Sequence, residues 1–228
     1  MLAFIESIDI DLFFLINRAG QNVLFDMFMP FMSNLSNFYV PLGVGWLALI
    51  LKKGSRYKIV ALSFLLLITL SEGLSSDILK PAFDRPRPYH AQSNVHHYDR
   101  SLKTWQITPE LEAVVRGESR SLPSSHATNI FAAAFFLSVS LRKSWPVFYL
   151  IAVLVGYSRV YLGVHYPFDV LAGALAGSLC GLVLMGLSRY LIAAFEDRRQ
   201  NAEAEGARGP QESNAEGSED ETYREPTQ

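Results

Sequence analysis

Residues 170–188 read VLAGALAGSLCGLVLMGLS, nineteen residues without a charged side chain. About 20 apolar residues in helical form cross the hydrocarbon core of a bilayer. This stretch therefore predicts a membrane span, and with it an all-α, polytopic bundle. Working outward, similar runs occupy 38–51, 59–71, 121–141 and 144–158. The second continues towards Leu79 with Glu72 and Asp77 inside it, and Pro30 and Pro41 divide the apolar run that leads into the first. The count is five spans, or six if residues 10–33 also cross. A soluble helical core is apolar too, but five such runs with so few charges argue against it. Gly173, Gly177 and Gly181 recur every four residues and read as a close helix contact, with Cys180 a small packing residue.

The whole chain has 228 residues, 50% hydrophobic and 18% charged, with a formal net charge of −2. A soluble domain is about 25% charged. The charge is unevenly placed. Residues 196–228 hold ten acidic and four basic side chains, net −6, which leaves residues 1–195 at +4. The reading is a membrane-embedded domain over 1–195 and an acidic, disordered cytoplasmic tail over 196–228, too poor in apolar residues to fold. A nucleic-acid binder working through bulk positive charge is excluded, and so is a disulfide scaffold, since Cys180 is a lone cysteine. Oligomeric state is not legible.

Short basic loops stay in the cytoplasm. The 52–58 link carries Lys52, Lys53, Arg56 and Lys58, and the next such link carries Arg142 and Lys143. The 80–122 and 159–169 loops then face outward, and the tail lies inside. Five spans put the N-terminus outside; six put it inside. The first 25 residues mix Glu6, Asp9, Asp11 and Arg18 with Phe, Leu and Ile, which predicts an interfacial amphipathic helix. No basic segment precedes an apolar stretch, so a cleaved signal peptide is not expected.

Span parity brings three polar clusters to the outer boundary. They are Lys80 to Pro88 (KPAFDRPRP), Pro123-Ser124-Ser125-His126, and Ser158-Arg159 with His165 and Asp169. Arginine matches phosphate oxygens as a fork, and lysine adds a compact charge. Ser124 suits an N-cap, and a helix N-terminus receives anions. Histidine can act as nucleophile or proton donor near neutral pH. A carboxylate four residues after His165 can hold one ring nitrogen. The set suggests phosphoryl transfer. Each cation alone could be a snorkelling side chain; their joint occurrence favours function. A metal site from His126, His165 and Asp169 has no supporting ligand spacing.

These residues resemble the PAP2 superfamily, the type 2 phosphatidic acid phosphatases, which is related to vanadium haloperoxidases. Its signature runs K-x6-R-P, P-S-G-H and S-R-x5-H-x3-D. Here it is Lys80 with Arg87-Pro88, Pro123-Ser124-Ser125-His126, and Ser158-Arg159 with His165 and Asp169. Ser125 stands in place of the usual glycine. The resemblance covers roughly residues 20–190. It implies that His165 attacks phosphorus, Asp169 orients the ring and His126 is the general acid. Lys80, Arg87, Ser124, Ser125 and Arg159 would bind phosphate. It implies no cofactor or metal, and a lipid phosphate as substrate at the outer face of the inner membrane. The short format resembles bacterial undecaprenyl-diphosphate phosphatases, with lipid A 1-phosphatase, phosphatidylglycerol-phosphate and phosphatidic acid phosphatases as alternatives. A non-catalytic binder or carrier of anionic lipids is a different class that the cations alone would allow.

Other polar residues read as structural. Asp84 and Arg85 form a local surface pair, and Asp77 lies one turn before Lys80 and could pair with it. Glu72 is either functional or paired within the bundle. His90, His96, His97 and Trp105 are surface residues of a long 89–122 loop that can cap the site.

Overall fold

The structure is a computed structural model that describes residues 2–110 and 120–208. In chain order it contains α1 (Leu2–Phe14), α2 (Val23–Ser33), α3 (Tyr39–Leu51), α4 (Ser55–Gly73), α5 (Lys80–Phe83) and α6 (Pro88–Ala91). An antiparallel hairpin follows, β1 (His96–Asp99) with β2 (Thr104–Ile107). Then come α7 (Ser125–Ser140), α8 (Trp145–Tyr161) and α9 (Pro167–Arg208). Two π-helical turns, Leu15–Ala19 and Leu74–Leu79, extend α1 and α4.

Local chemistry sets several boundaries. Asn22 caps α2 by accepting from the Phe25 amide at 2.9 Å. Gly54, at φ +115, makes the turn into α4. Ser124 caps α7, its hydroxyl 3.5 Å from the Ala127 amide.

Segments Ser55–Phe83 and Pro167–Ala204 are long and apolar enough to cross a membrane. Val23–Ser33 and Leu35–Leu51, bent by 70° between them, add a third if counted as one broken span. The segments expected as the other two spans form α7, of 16 residues, and α8, of 17, neither of which is among the helices long and apolar enough to cross. At 1.5 Å per residue these reach only about 25 Å. The surface is inverted relative to a soluble protein. Leu62, Leu65, Leu66, Leu171, Leu175 and Leu179 are exposed, whereas Ser63, Ser71, Ser75, Thr128 and Ser188 are buried. Leucine gains nothing by hiding from lipid, so small and polar side chains take the helix interfaces.

α7 packs against α4, α8 and α9. The glycine stripe on α9 makes its contact with α7. A Cβ on Gly173 would come within 2.7 Å of the Ser124 carbonyl oxygen, one on Gly181 within 2.9 Å of the Ala132 oxygen, and one on Gly177 would overlap the Thr128 oxygen. The packing reading of these glycines therefore stands. The close approach also lets the Ser124 amide donate to the Asp169 carbonyl at 3.0 Å, which registers the start of α7 against the start of α9.

Two expectations change. α9 continues through residue 195 to Arg208, so the first part of the acidic segment is helical, not disordered. Alanine, glutamate and arginine favour helix, and Arg199 pairs with Glu203 one turn on at 2.7 Å. The tail beyond it, 209–228, and loop residues 111–119 lie outside the described residues. The 89–122 segment also holds more than loop. Its hairpin carries His96, 8% exposed and stacked on Trp105 at 4.1 Å. His96 is not a surface residue, because Asn17 of the first π turn grips its backbone from both sides, at 2.7 Å and 2.9 Å.

Candidate active site

His165 lies in the turn between α8 and α9 and is 2% exposed. Gly163, at φ +76, shapes that turn, and a Cβ there would meet the hairpin at His96 O and Val95, both 2.8 Å away. The His165 amide donates to the Arg159 carbonyl at 3.2 Å. Its Nδ1 stands 3.7 Å from Asp169 Oδ2 and 3.4 Å from Ser121 Oγ. Burial, opposed by the nearby Asp169 carboxylate, holds its pKa down at about 4. The ring is therefore neutral at pH 7. With Nδ1 turned to the carboxylate, Nε2 is the nitrogen available to an electrophile.

Asp169 is fully buried at the first turn of α9. Its Oδ2 accepts from Ser121 Oγ at 2.5 Å and from the Tyr166 amide at 2.8 Å. Its Oδ1 accepts from Arg85 Nη1 at 2.8 Å. The same Nη1 lies 2.7 Å from Asp9 Oδ2, and Asp9 Oδ1 accepts from the Phe168 amide at 2.9 Å. Arg85 lies over the Tyr166 ring, 3.9 Å from its centroid. Burial disfavours the Arg85 charge, but Asp169 and Asp9 together hold its pKa above the ordinary value.

Here the structure corrects the sequence reading. Arg85 is not the surface partner of Asp84, which pairs with Arg120 at 2.8 Å. Asp84 takes a left-handed conformation, φ 43, that sends the two neighbours apart. Asp9 is not on an outward polar face; it is 1% exposed and part of the site. Asp9, Arg85 and Ser121 escaped the motif reading. One signal was available: Asp9, Phe13 and Asn17 are spaced by four along one helix stripe, and all three are buried.

Two cations lie within electrostatic range of His165, Arg159 and Arg87. Arg159, on the last turn of α8, is 6% exposed and donates through Nη1 to the Ser33 hydroxyl at the end of α2. Arg87 and Arg159 line one cavity. The buried Nε atoms of both have no hydrogen-bond partner among the described residues. Lys80 lies within electrostatic range of Arg87 and Arg159, and His126 within range of Arg159, His165 and Lys80. The structure thus brings the three motifs to one end of the bundle.

Ser125 is the first helical residue of α7 and does not adopt positive φ, so its position does not demand glycine. Its hydroxyl meets Ser75 at 3.0 Å and Ser76 at 3.1 Å, both on the π turn before Lys80. Ser76 donates to Glu72 at 2.6 Å, and Asn129 of α7 donates to its other oxygen at 2.5 Å. Glu72 is thus paired within the bundle. Among the described ion pairs Asp77 does not reach Lys80. The wider winding of the π turn, whose Lys80 amide bonds the Ser75 carbonyl, rotates the two side chains apart. Among the described residues no three His, Cys, Asp or Glu side chains converge as a metal site requires.

A family model for the PAP2 superfamily matches residues 60–193. The chain is 28% identical over 205 residues to the lipid A 4'-phosphatase of Bacteroides thetaiotaomicron, covering 86% of this chain and 84% of that one. It is 33% identical over 172 residues to the undecaprenyl-diphosphatase of Sulfolobus acidocaldarius, covering 75% and 73%. Among solved structures, LpxE of Aquifex aeolicus matches with a TM-score of 0.56 and 28% identity over 78% of this chain and 94% of that one. A transmembrane PAP2-type phosphatidylglycerolphosphate phosphatase from Bacillus subtilis matches with a TM-score of 0.59 and 25% identity over 82% and 87%.

Proposed function

The chain belongs to the PAP2 superfamily of membrane phosphatases, and from that premise we propose that it hydrolyses undecaprenyl diphosphate to undecaprenyl phosphate through a phosphohistidine on His165. The observation that carries the mechanism is the buried His165 ring, its Nδ1 3.7 Å from Asp169 Oδ2, with Arg87 and Arg159 within its electrostatic range.

His165 Nε2 attacks the terminal phosphorus. An N–P bond forms as the bond from phosphorus to the bridging oxygen breaks, and His126 donates its proton to that oxygen. Protonated His126 stands among cations, and the bound anion offsets that repulsion. Water then attacks the phosphohistidine, His126 takes its proton, and phosphate leaves with His165 restored. Asp169 stabilises the charge that His165 acquires. Lys80, Arg87, Arg159, the Ser124 hydroxyl and the amides of Ser125 and His126 hold the phosphoryl oxygens as charge shifts, so positioning and electrostatics supply most of the rate.

The substrate choice is supported by the similarity to an undecaprenyl-diphosphatase. The second reading is removal of a lipid A phosphate, supported by a match that extends over most of a lipid A 4'-phosphatase. We read the bundle as five spans, with α7 and α8 completing the set, α1 at the interface, the site on the outer face and the tail in the cytoplasm. A rate panel on purified protein tests the proposal, using undecaprenyl diphosphate, lipid A, phosphatidylglycerol phosphate and phosphatidic acid. Undecaprenyl diphosphate should be fastest, EDTA should leave the rate unchanged, vanadate should inhibit, and His165→Ala should abolish turnover. Full activity in His165→Ala overturns the mechanism. A preference for lipid A selects the second reading.

A further inference from the structure

We propose that the cavity between the hairpin and the end of α8 is a second phosphoryl subsite, and that Arg100 makes the enzyme prefer a diphosphate over a monophosphate. This rests on the phosphatase reading above and deepens it. The cavity has a volume of about 310 Å³, and Arg87, Arg159, Arg100, His97, Asp99 and Ser101 are among its lining residues.

The three family motifs already supply cations for one tetrahedral phosphate. Arg100 comes from the turn after β1 and is additional to them. It is fixed in place, donating through Nη2 to the Ser33 carbonyl at 2.8 Å. The same Nη2 lies 3.5 Å from the Ser33 hydroxyl, which also accepts from Arg159 Nη1. Two guanidinium groups thus meet on one oxygen atom. They lie no further apart than two hydrogen-bond lengths, roughly 6 Å. Two phosphoryl groups joined by one bridging oxygen fit that span.

Among the described ion pairs no carboxylate reaches Arg87, Arg100 or Arg159. Asp99, the one carboxylate in the lining among the described residues, is engaged in its own turn. Its Oδ1 accepts from the Ser101 amide at 2.8 Å, the Ser101 hydroxyl at 2.6 Å and the Leu102 amide at 3.1 Å. Buried Nε atoms on Arg87 and Arg159 also lack partners among the described residues. Like charges held together without compensation favour an anion that carries more than one charge centre. The subsite is rigid because the hairpin is pinned to the α8–α9 turn. The Tyr98 amide donates to the Leu162 carbonyl at 3.2 Å, and His97 Nδ1 lies 3.2 Å from the same oxygen. In the proposed reaction Arg100 would hold the phosphate that stays on the lipid and stabilise charge on the leaving oxygen.

The test compares kcat/KM for farnesyl diphosphate and farnesyl monophosphate with the purified full-length protein in lipid nanodiscs. Arg100→Gln should lower the diphosphate-to-monophosphate ratio by about tenfold or more, since it removes a charged fork donor from the leaving phosphate. An unchanged ratio in Arg100→Gln, or an equal fall on both substrates, overturns the subsite. A second measurement needs no turnover. Methylenediphosphonate should bind the His165→Ala protein more tightly than methylphosphonate, and Arg100→Gln in that background should remove the difference. No phosphate release from either lipid by the wild type would overturn the phosphatase reading, while the phosphonate binding would still report on the subsite.

Discussion

Arg85 divides one positive charge between two buried carboxylates, Asp9 and Asp169. Asp9 therefore influences His165 without touching it. In the proposed mechanism Asp169 keeps enough negative charge, while Asp9 shares the guanidinium, to stabilise the charge that phosphoryl transfer places on His165. If Asp9 is neutral, Arg85 turns wholly to Asp169 and that stabilisation weakens. Asp9→Asn is expected to lower kcat about tenfold, equivalent to about 1.4 kcal/mol of transition-state stabilisation. KM should stay near its original value, since Asp9 does not line the cation cavity. Steady-state kinetics decide it, with the unfolding temperature measured in parallel; an unaltered kcat would rule the role out. At this scale the sequence disclosed the residues held in fixed motifs. Asp9 was hidden because its partner is 76 positions away, and a carboxylate among Phe and Ile reads equally well as the wet side of an amphipathic helix. Arg85 was hidden by its neighbour, since an adjacent Asp84 suggests a pair that the left-handed turn forbids.

The contact of α7 with α9 sets the distance between the helix that begins with Ser125-His126 and the one that begins near Asp169. Gly177 is its tightest point, since an added Cβ would overlap the Thr128 carbonyl oxygen. Backbone cannot swing aside as a side chain can, so the helices must separate. Gly177→Ala is expected to destabilise the protein by about 1–3 kcal/mol and to reduce activity. Gly43→Ala is the control, because a Cβ on Gly43 meets nothing within 4 Å. Thermal unfolding in one detergent should separate the two; equal midpoints would show that the crossing tolerates a methyl group. The glycine stripe was legible because its spacing of four marks one helix face. The π turn at Leu74–Leu79 was not, since its wider winding leaves no mark in an apolar run. The expected pairing of Asp77 with Lys80 failed for that reason.

Across the whole molecule, charge bias and hydropathy gave the membrane class and the grouping of the motifs at one end. They did not reveal the hairpin, whose strands carry His96 and Trp105 in a stretch that reads as a polar loop, or the helical continuation of α9 to Arg208. The proposed orientation predicts opposite exposure for two short segments. In a Cys180→Ser background, a single cysteine replacing Ser101 of the hairpin turn should react with an impermeant maleimide applied from outside intact cells. One replacing Ser55, in the basic 52–58 link, should react only after permeabilisation. The reverse pattern would invert the protein in the membrane. Asp9 and Ser33 both precede residue 60, where the family match begins. The matched segment is therefore not a transplantable unit. Moved to another scaffold, or expressed without its leading helices, it would carry Arg85 without Asp9 and Arg159 without the Ser33 hydroxyl. The same geometry guides handling of the protein: an affinity tag fused ahead of α1 loads the helix whose Asp9 shares Arg85 with Asp169, whereas one placed beyond Arg208 leaves it alone.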